Sequence, residues 1–374
     1  MTDCTTFPVE HRENPKCRNG EYGPRQRAVL NRAAFEAARA EIVAWDGYAP
    51  TRLVDLPAVA RDAGVARVAY KDESKRFGLG SFKALGGAYA VLRQLRTSGR
   101  PASDVTVACA TDGNHGRSVA WGAKRFGCGC VIYIHETVSE GRAKAIAAYG
   151  AEVRRVPGNY DDAVRAAARD AAANGWIVVS DTSYPGYVDI PRDVMQGYAV
   201  MADEALAQMG EAPTHVFVQA GVGGLAAAVC GHLWETLGTM RPRTVVVEPD
   251  RAACLFESAR LGKAANIHGA LDTAMAGLAC GETSLVAWDI LEEGAGDFLT
   301  VTDEAAFAGM RLLAGLGVVA GESAVAGLVG LLGAAARPAL TKALGLDATS
   351  RVLLFGSEGD TDPELYARIV GRAA

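Results

Sequence analysis

Short apolar runs and amphipathic stretches alternate along most of this chain. ARVAYKDE (66–73) reads as a strand ending in a polar turn, and FKALGGAYAVLRQLR (82–96) spaces its apolar residues at helical intervals. The exchange then repeats: strand VTVACAT (105–111) with helix HGRSVAWGAKRFG (115–127), strand CVIYIHE (130–136) with helix EGRAKAIAAYG (140–150), and strand EVRRVPG (152–158) with helix 160–175. A further strand, WIVVSD, covers 176–181. A second series follows, with helix 194–210, strand THVFVQA (214–220), the loop GVGGL, helix 226–237, strand TVVVEPD (244–250) and a last strand within 350–360. An earlier helix is expected over 33–44. Short apolar strands separated by helices predict an α/β chain with parallel sheets. Two such series predict two layered α/β domains with a cleft between them, one built from 1–88 plus 191–374 and the smaller from 89–190.

Composition adds bounds rather than detail. The 374 residues are 49% hydrophobic and 22% charged, enough apolar material for a sizeable core. A net charge of −5 and no recognisable RNA- or DNA-binding motif argue against a nucleic-acid partner. The first residues, MTDCTTFPVEHRENPK, hold no apolar h-region, so a signal peptide is not expected. The most apolar stretch, SAVAGLVGLLGAAA (323–336), is too short to span a bilayer and reads as a buried core helix. The eight cysteines are scattered, mostly in apolar segments, which fits a cytoplasmic protein with reduced thiols. Cys128 and Cys130 form a C-x-C pair with no second pair at zinc-finger spacing, so no metal site is expected.

Three strand-to-helix junctions carry candidate chemistry. In FVQAGVGGLAAAV (217–229) the glycines let backbone N–H groups converge on an anion, and the helix start that follows favours phosphate. The same stretch also reads as a tight structural turn. A third reading is part of a dinucleotide fingerprint, since Gly221, Gly223 and Ala226 imitate G-x-G-x-x-A and Glu248 ends the next strand. A phosphate cup for a smaller cofactor fits equally well. In ATDGNHGRSVAW (110–121), Asn114 is placed to cap a helix, with Asp112 and His115 beside it, after a strand of the kind whose C-terminal end gathers α/β sites. In GLGSFKALGGAYA (78–90), Lys83 would lie in the first turn of a helix. That end disfavours a cation, and burial would lower the lysine pKa; both favour the neutral amine that attacks a carbonyl. The alternative is a lysine whose stem packs while its ammonium reaches water. Together the junctions offer an amine, an anion cup and a hydrogen-bonding amide, which pyridoxal 5'-phosphate (PLP) requires.

SFK, GNHG and GVGGL, in that order, resemble the fold type II PLP enzymes of the tryptophan-synthase β group. YKDESKRFGLGSFKALGGAYA, TDGNHGRSVAW, DTSYPGY, IPRDVMQGYA, MAGLACGE, GESAVAG and SEGDTDP resemble the diaminopropionate ammonia-lyase family over about 66–366. The resemblance implies that Lys83 holds PLP through a Schiff base, that Asn114 bonds the ring hydroxyl, and that Gly221, Val222, Gly223, Gly224 and Leu225 cradle the phosphate. It also implies that Lys83 serves the L isomer and Asp112 the D isomer of a small amino-acid substrate, that Asp181 is a second acidic site residue, and that the enzyme is a homodimer. Where the family commonly reads Ser-Thr-Glu-Gly-Asp, this chain has GSEGD (356–360); Ser357 can supply a hydroxyl to the pyridine nitrogen, while Gly356 removes another. A PLP-dependent dehydratase of serine, threonine or hydroxyaspartate shares the lysine and the cup, although Asp112 argues against its simplest form.

Overall fold

In a computed structural model that describes residues 7–111 and 113–371, the strand-forming runs assemble into two sheets. The first strands are β1 (Val9–Glu13), β2 (Leu53–Asp55) and β3 (Arg67–Asp72). Next come β4 (Thr106–Ala110), β5 (Gly129–His135), β6 (Glu152–Val156) and β7 (Ile177–Val178), which form a four-stranded parallel sheet in the order β6-β5-β4-β7. The chain then returns to the first strands with β8 (His215–Gln219), β9 (Arg243–Pro249), β10 (Asp297–Val301) and β11 (Arg351–Gly356). These complete a seven-stranded sheet in the order β1-β10-β9-β8-β11-β3-β2. Its central strands are parallel, as the apolar runs predict; β11 is sandwiched so that Leu354 faces Phe217 on one side and Tyr70 on the other.

The two edge strands depart from the parallel expectation. Both β1 and β2 run antiparallel to their neighbours. VEHRE and LVD are short and incompletely buried, which suits an edge where one side of the strand meets no partner. The strand expected over 176–181 is cut to Ile177–Val178 because the Ser180 N–H turns away to donate to the Tyr187 hydroxyl at 2.8 Å.

One apolar cluster runs from the small sheet (Val107, Ile132) through the intervening helices (Ala88, Val119) to the large sheet (Val218, Val246). At its centre the helix Ala84–Ser98 packs on the helices Asn114–Phe126 and Asp189–Met209. The small residues of ALGGAYA are a packing requirement: a Cβ on Gly87 would run into Ser118, and one on Gly86 into the Val194 carbonyl. The opposite face of the large sheet is covered by the helix Ala326–Ala335, the expected core helix, through residues such as Leu328 and Leu331. Among the described residues no helix is long and apolar enough to cross a membrane. The ends of β3, β4, β7, β8 and β11 lead into the segments holding Lys83, Asn114, Asp181, the glycine loop and Ser357, so the candidate chemistry follows the carboxyl ends of parallel strands.

Candidate active site

The loop that delivers Lys83 is fixed at both ends. After β3, Arg76 bonds Glu73 at 2.8 Å and Glu204 at 2.7 Å, and Lys71 bonds Glu204 at 2.7 Å, all in the interior. Two cations against two carboxylates leave no uncompensated charge, and losing any one would. Just before Lys83, the Phe82 N–H donates to the Ser357 carbonyl at 3.0 Å and the Gly359 N–H to the Gly80 carbonyl at 2.9 Å. SFK is thereby zipped onto GSEG. Lys83 itself is the residue preceding the helix Ala84–Ser98, one step outside the first turn where the sequence placed it.

From there Lys83 Nζ reaches Asp181 Oδ2 at 2.6 Å, with the side chains 20% and 18% exposed. The Phe82 and Tyr198 rings flank the amine, their centroids 5.4 and 5.7 Å from Nζ. Burial alone would lower the lysine pKa, as expected, but the Asp181 charge outweighs it and holds Lys83 well above its ordinary value. The expectation of a neutral amine is therefore corrected for the free protein: an ion pair, invisible to local sequence, reverses the sign. Burial likewise pushes the Asp181 carboxyl up, and Lys83 then carries it well below the usual range. His115 stands beside the pair, Nδ1 3.8 Å from Asp181 Oδ2, while Nε2 donates to the Val179 carbonyl at 2.8 Å. Burial lowers its pKa, so the imidazole is neutral.

The glycine loop opens next to this pair. Gly223 (φ +103°) precedes the helix Gly224–Leu237, whose first N–H groups have no acceptor within the helix. A Cβ at Gly223 would lie 3.0 Å from Ala287 Cβ, and one at Gly221 3.0 Å from Cys280 Sγ. A Cβ at Gly224 would lie 3.8 Å from the Asp181 carbonyl and 4.0 Å from Tyr198 Cε2, which sets the glycine loop beside the Lys83–Asp181 pair. Val222 and Leu225 complete the loop; the Val222 carbonyl accepts from the Ser284 N–H at 3.0 Å.

Two further side chains close the site. Gln219, at the end of β8, donates from Nε2 to Ser357 Oγ at 2.8 Å and to the Phe355 carbonyl at 2.8 Å. Asn114 does not cap its helix as expected. Gly113 holds that position without a side-chain bond, and the Asn114 amide instead donates to Glu358 and accepts from Arg117.

Residues 44–355 match the family described as pyridoxal-phosphate dependent enzymes. The diaminopropionate ammonia-lyase of Escherichia coli K12 is 39% identical over 378 residues, 94% of each chain. This chain belongs to the diaminopropionate ammonia-lyase family. The crystal structure of the E. coli enzyme in complex with an aminoacrylate-PLP azomethine reaction intermediate superposes with a TM-score of 0.89 at 38% identity, covering 97% of both chains. A threonine deaminase from Solanum lycopersicum shares the fold, with a TM-score of 0.79 at 20% identity over 97% of this chain and 96% of that one.

The residues present suit the cofactor of a PLP-dependent lyase. Two buried polar atoms beside the Lys83–Asp181 pair, Tyr198 Oη and His115 Nδ1, lack a hydrogen-bond partner, as expected where a polar ligand belongs. Lys83 offers the amine, the loop 221–225 a turn in which three glycines leave the backbone open to an anion, and Ser357 a hydroxyl. We expect Gly223→Val to weaken PLP binding to the apoenzyme at least about ten-fold, from strain at positive φ and crowding of the cup. Fluorescence titration checks this, and unchanged affinity would place the phosphate elsewhere.

The dinucleotide reading fails on Glu248. That side chain is fully buried, and its two oxygens accept from the N–H groups of Leu255 (2.9 Å) and Phe256 (2.7 Å) at the start of another helix. Burial pushes its pKa up to about 8. Gly356 also has a reason: the Tyr70 ring, from the neighbouring strand β3, fills the space a side chain there would need. Asp112 lies outside the described residues. Tyr198, Gln219 and Glu358 carried no assigned role in the sequence reading. Tyr198 lies within the family-like IPRDVMQGYA and Glu358 within SEGDTDP, which was the available signal.

Proposed function

We propose that this enzyme eliminates ammonia from 2,3-diaminopropionate, D and/or L, to give pyruvate and ammonia. The observation that carries the reading is Asp181, a half-buried carboxylate already paired with a primary ammonium at 2.6 Å. Diaminopropionate brings a second ammonium on Cβ. The serine, threonine and hydroxyaspartate of the dehydratase alternative bring a neutral hydroxyl, which gives that carboxylate no substrate charge to receive.

Bound PLP supplies an electron sink for charge developing at Cα. Around it, Gly221, Val222, Gly223, Gly224 and Leu225 hold the phosphate, Asn114 the ring oxygen and Ser357 the pyridine nitrogen. Lys83 takes the Cα proton on the face presented by the L isomer, and Asp112 takes it on the face presented by the D isomer. The Cβ–N bond breaks with its electron pair staying on nitrogen, and ammonia departs from beside Asp181. The resulting 2-aminoacrylate takes up water and loses its one remaining nitrogen as ammonia, leaving pyruvate. The large domain of 1–88 plus 191–374 and the small one of 89–190 form the two walls of the cleft, and the active form is a homodimer. A cytoplasmic setting is supported by the scatter of the eight cysteines through mostly apolar segments, which makes no disulfide framework.

Steady-state rates on D- and L-diaminopropionate beside D- and L-serine test the reading. Diaminopropionate should have the higher kcat/KM, and equal or better turnover of serine would transfer the enzyme to the dehydratases. Asp112→Asn should reduce activity on the D isomer at least about ten-fold more than on the L isomer, within the range of one general base. Equal losses on both isomers would remove the two-base assignment while leaving the lyase intact.

A further inference from the structure

The Asn114 amide is held in one of its two orientations by groups that can each do only one thing. Arg117 Nη2 donates to Asn114 Oδ1 at 2.8 Å, and Asn114 Nδ2 donates to Glu358 Oε2. A guanidinium carries only donors and a carboxylate only acceptors. Flipping the amide would set donor against donor and acceptor against acceptor, so the network determines which end is nitrogen. An amide nitrogen has two hydrogens, and Glu358 takes one.

Glu358 is itself held still. It is 4% exposed, its Oε1 accepts from the Ser323 N–H at 3.3 Å, and its Oε2 accepts from Thr361 Oγ1 at 3.3 Å. Its backbone bridges to Ser81, two residues before Lys83. Glu322, buried alongside, bonds Arg142 at 3.3 Å. The carboxylate is thus built into the segment that fixes the lysine, while the amide it holds comes from the helix after β4.

We propose that Glu358 is a positioning residue for the cofactor: with Arg117 it fixes the Asn114 amide so that one N–H remains as a single, oriented donor for the PLP ring oxygen. This rests on the assignment of Asn114 to that oxygen. The two partners explain why an asparagine suits the position. Aspartate would repel Glu358, and a side chain with one polar end could not be locked from two sides while still donating.

The test uses the holoenzymes of wild type, Asn114→Ala, Glu358→Ala, Glu358→Gln and the double alanine variant. The readout is the ratio of the long- to the short-wavelength absorbance band of bound PLP without substrate, since an N–H donor favours the ionised ring oxygen. Each alanine variant should lower the ratio about five-fold, the size of one hydrogen bond, and the double variant no further than Asn114→Ala alone. Glu358→Gln, which keeps an acceptor oxygen, should fall between wild type and Glu358→Ala. An unchanged ratio in Glu358→Ala, or fully multiplied losses in the double variant, overturns the proposal. An unchanged ratio in Asn114→Ala overturns instead the ring-oxygen assignment beneath it. If Glu358→Ala does not retain cofactor, Arg117→Met breaks the other side of the amide in the same cycle. Losses that multiply with Asn114→Ala there also overturn the proposal.

Discussion

Replacing Lys83 with alanine is expected to leave a protein that still takes up PLP, holds it without a covalent bond, and turns over at least about a thousand-fold more slowly. The fold should survive. The helix Ala84–Ser98 begins after Lys83, and the preceding segment is tied down by backbone bonds from Phe82 to Ser357 and from Gly359 to Gly80. The anion cup and Asn114 belong to other elements, so the binding site for the phosphate and ring stays in place. What disappears is the only primary amine recorded beside Asp181 among the described residues. Borohydride reduction followed by peptide mass measurement separates the outcomes. Wild type should gain the mass of the cofactor on the peptide containing Lys83, and the variant should gain none. Small primary amines in the medium should restore part of the activity on the isomer that Lys83 serves. A reduced, cofactor-bearing peptide from Lys83→Ala would show that another lysine forms the bond and would remove the assignment.

Lys83 and the glycine loop stand out in the sequence for related reasons, whereas Asp181 is singled out only by the family resemblance. The first two lie at junctions where an apolar run stops and polar or glycine-rich residues begin, and parallel strands bring such junctions together. The missing strands had no such signature. VEHRE is mostly polar because it lies at an edge, and DFLTV, although the helices Leu285–Gly294 and Asp303–Gly315 flank it, is a five-residue run that mixes polar and apolar positions. The charge state of Lys83 was read with the wrong sign because helix position and burial are local, whereas the group that decides it is 98 residues away. Asn114 was read as a helix cap for the same reason: its partner Glu358 is 244 residues distant and approaches from the other sheet. Gly356 looked like a lost hydroxyl until the register of β11 on β3 brought the Tyr70 ring against it. Periodicity finds elements and junctions. The contacts between junctions depend on how two sheets are placed together, and no period records that.

Asp181→Asn is expected to move two properties in opposite directions. Turnover of diaminopropionate should fall about a hundred-fold or more, the range for one catalytic carboxylate. Attachment of PLP to the apoenzyme should become faster near neutral pH. In the wild type the Asp181 charge keeps Lys83 protonated above its ordinary value of 10.5, and the amine must lose that proton before it can attack an aldehyde. Without the carboxylate, burial acts unopposed by Asp181 and lowers the lysine pKa, so the attachment rate should rise and its pH dependence should move to lower pH. Stability of the apoenzyme follows the same linkage. The raised Lys83 pKa stabilises the fold below 10.5 and is lost as pH climbs through the folded value. The depressed Asp181 pKa stabilises the fold above 3.8 and is lost as pH falls through its folded value. The melting-temperature gap between wild type and Asp181→Asn should therefore be widest between those limits and close outside them. An attachment profile that does not shift would mean that Asp181 does not set the charge on Lys83. The substrate comparison separates the remaining roles: a carboxylate that receives the Cβ ammonium should matter more for kcat/KM on diaminopropionate than on serine, which has no charge there. Equal losses on both would confine Asp181 to holding Lys83, and substrate selection would then have to come from elsewhere in the cleft.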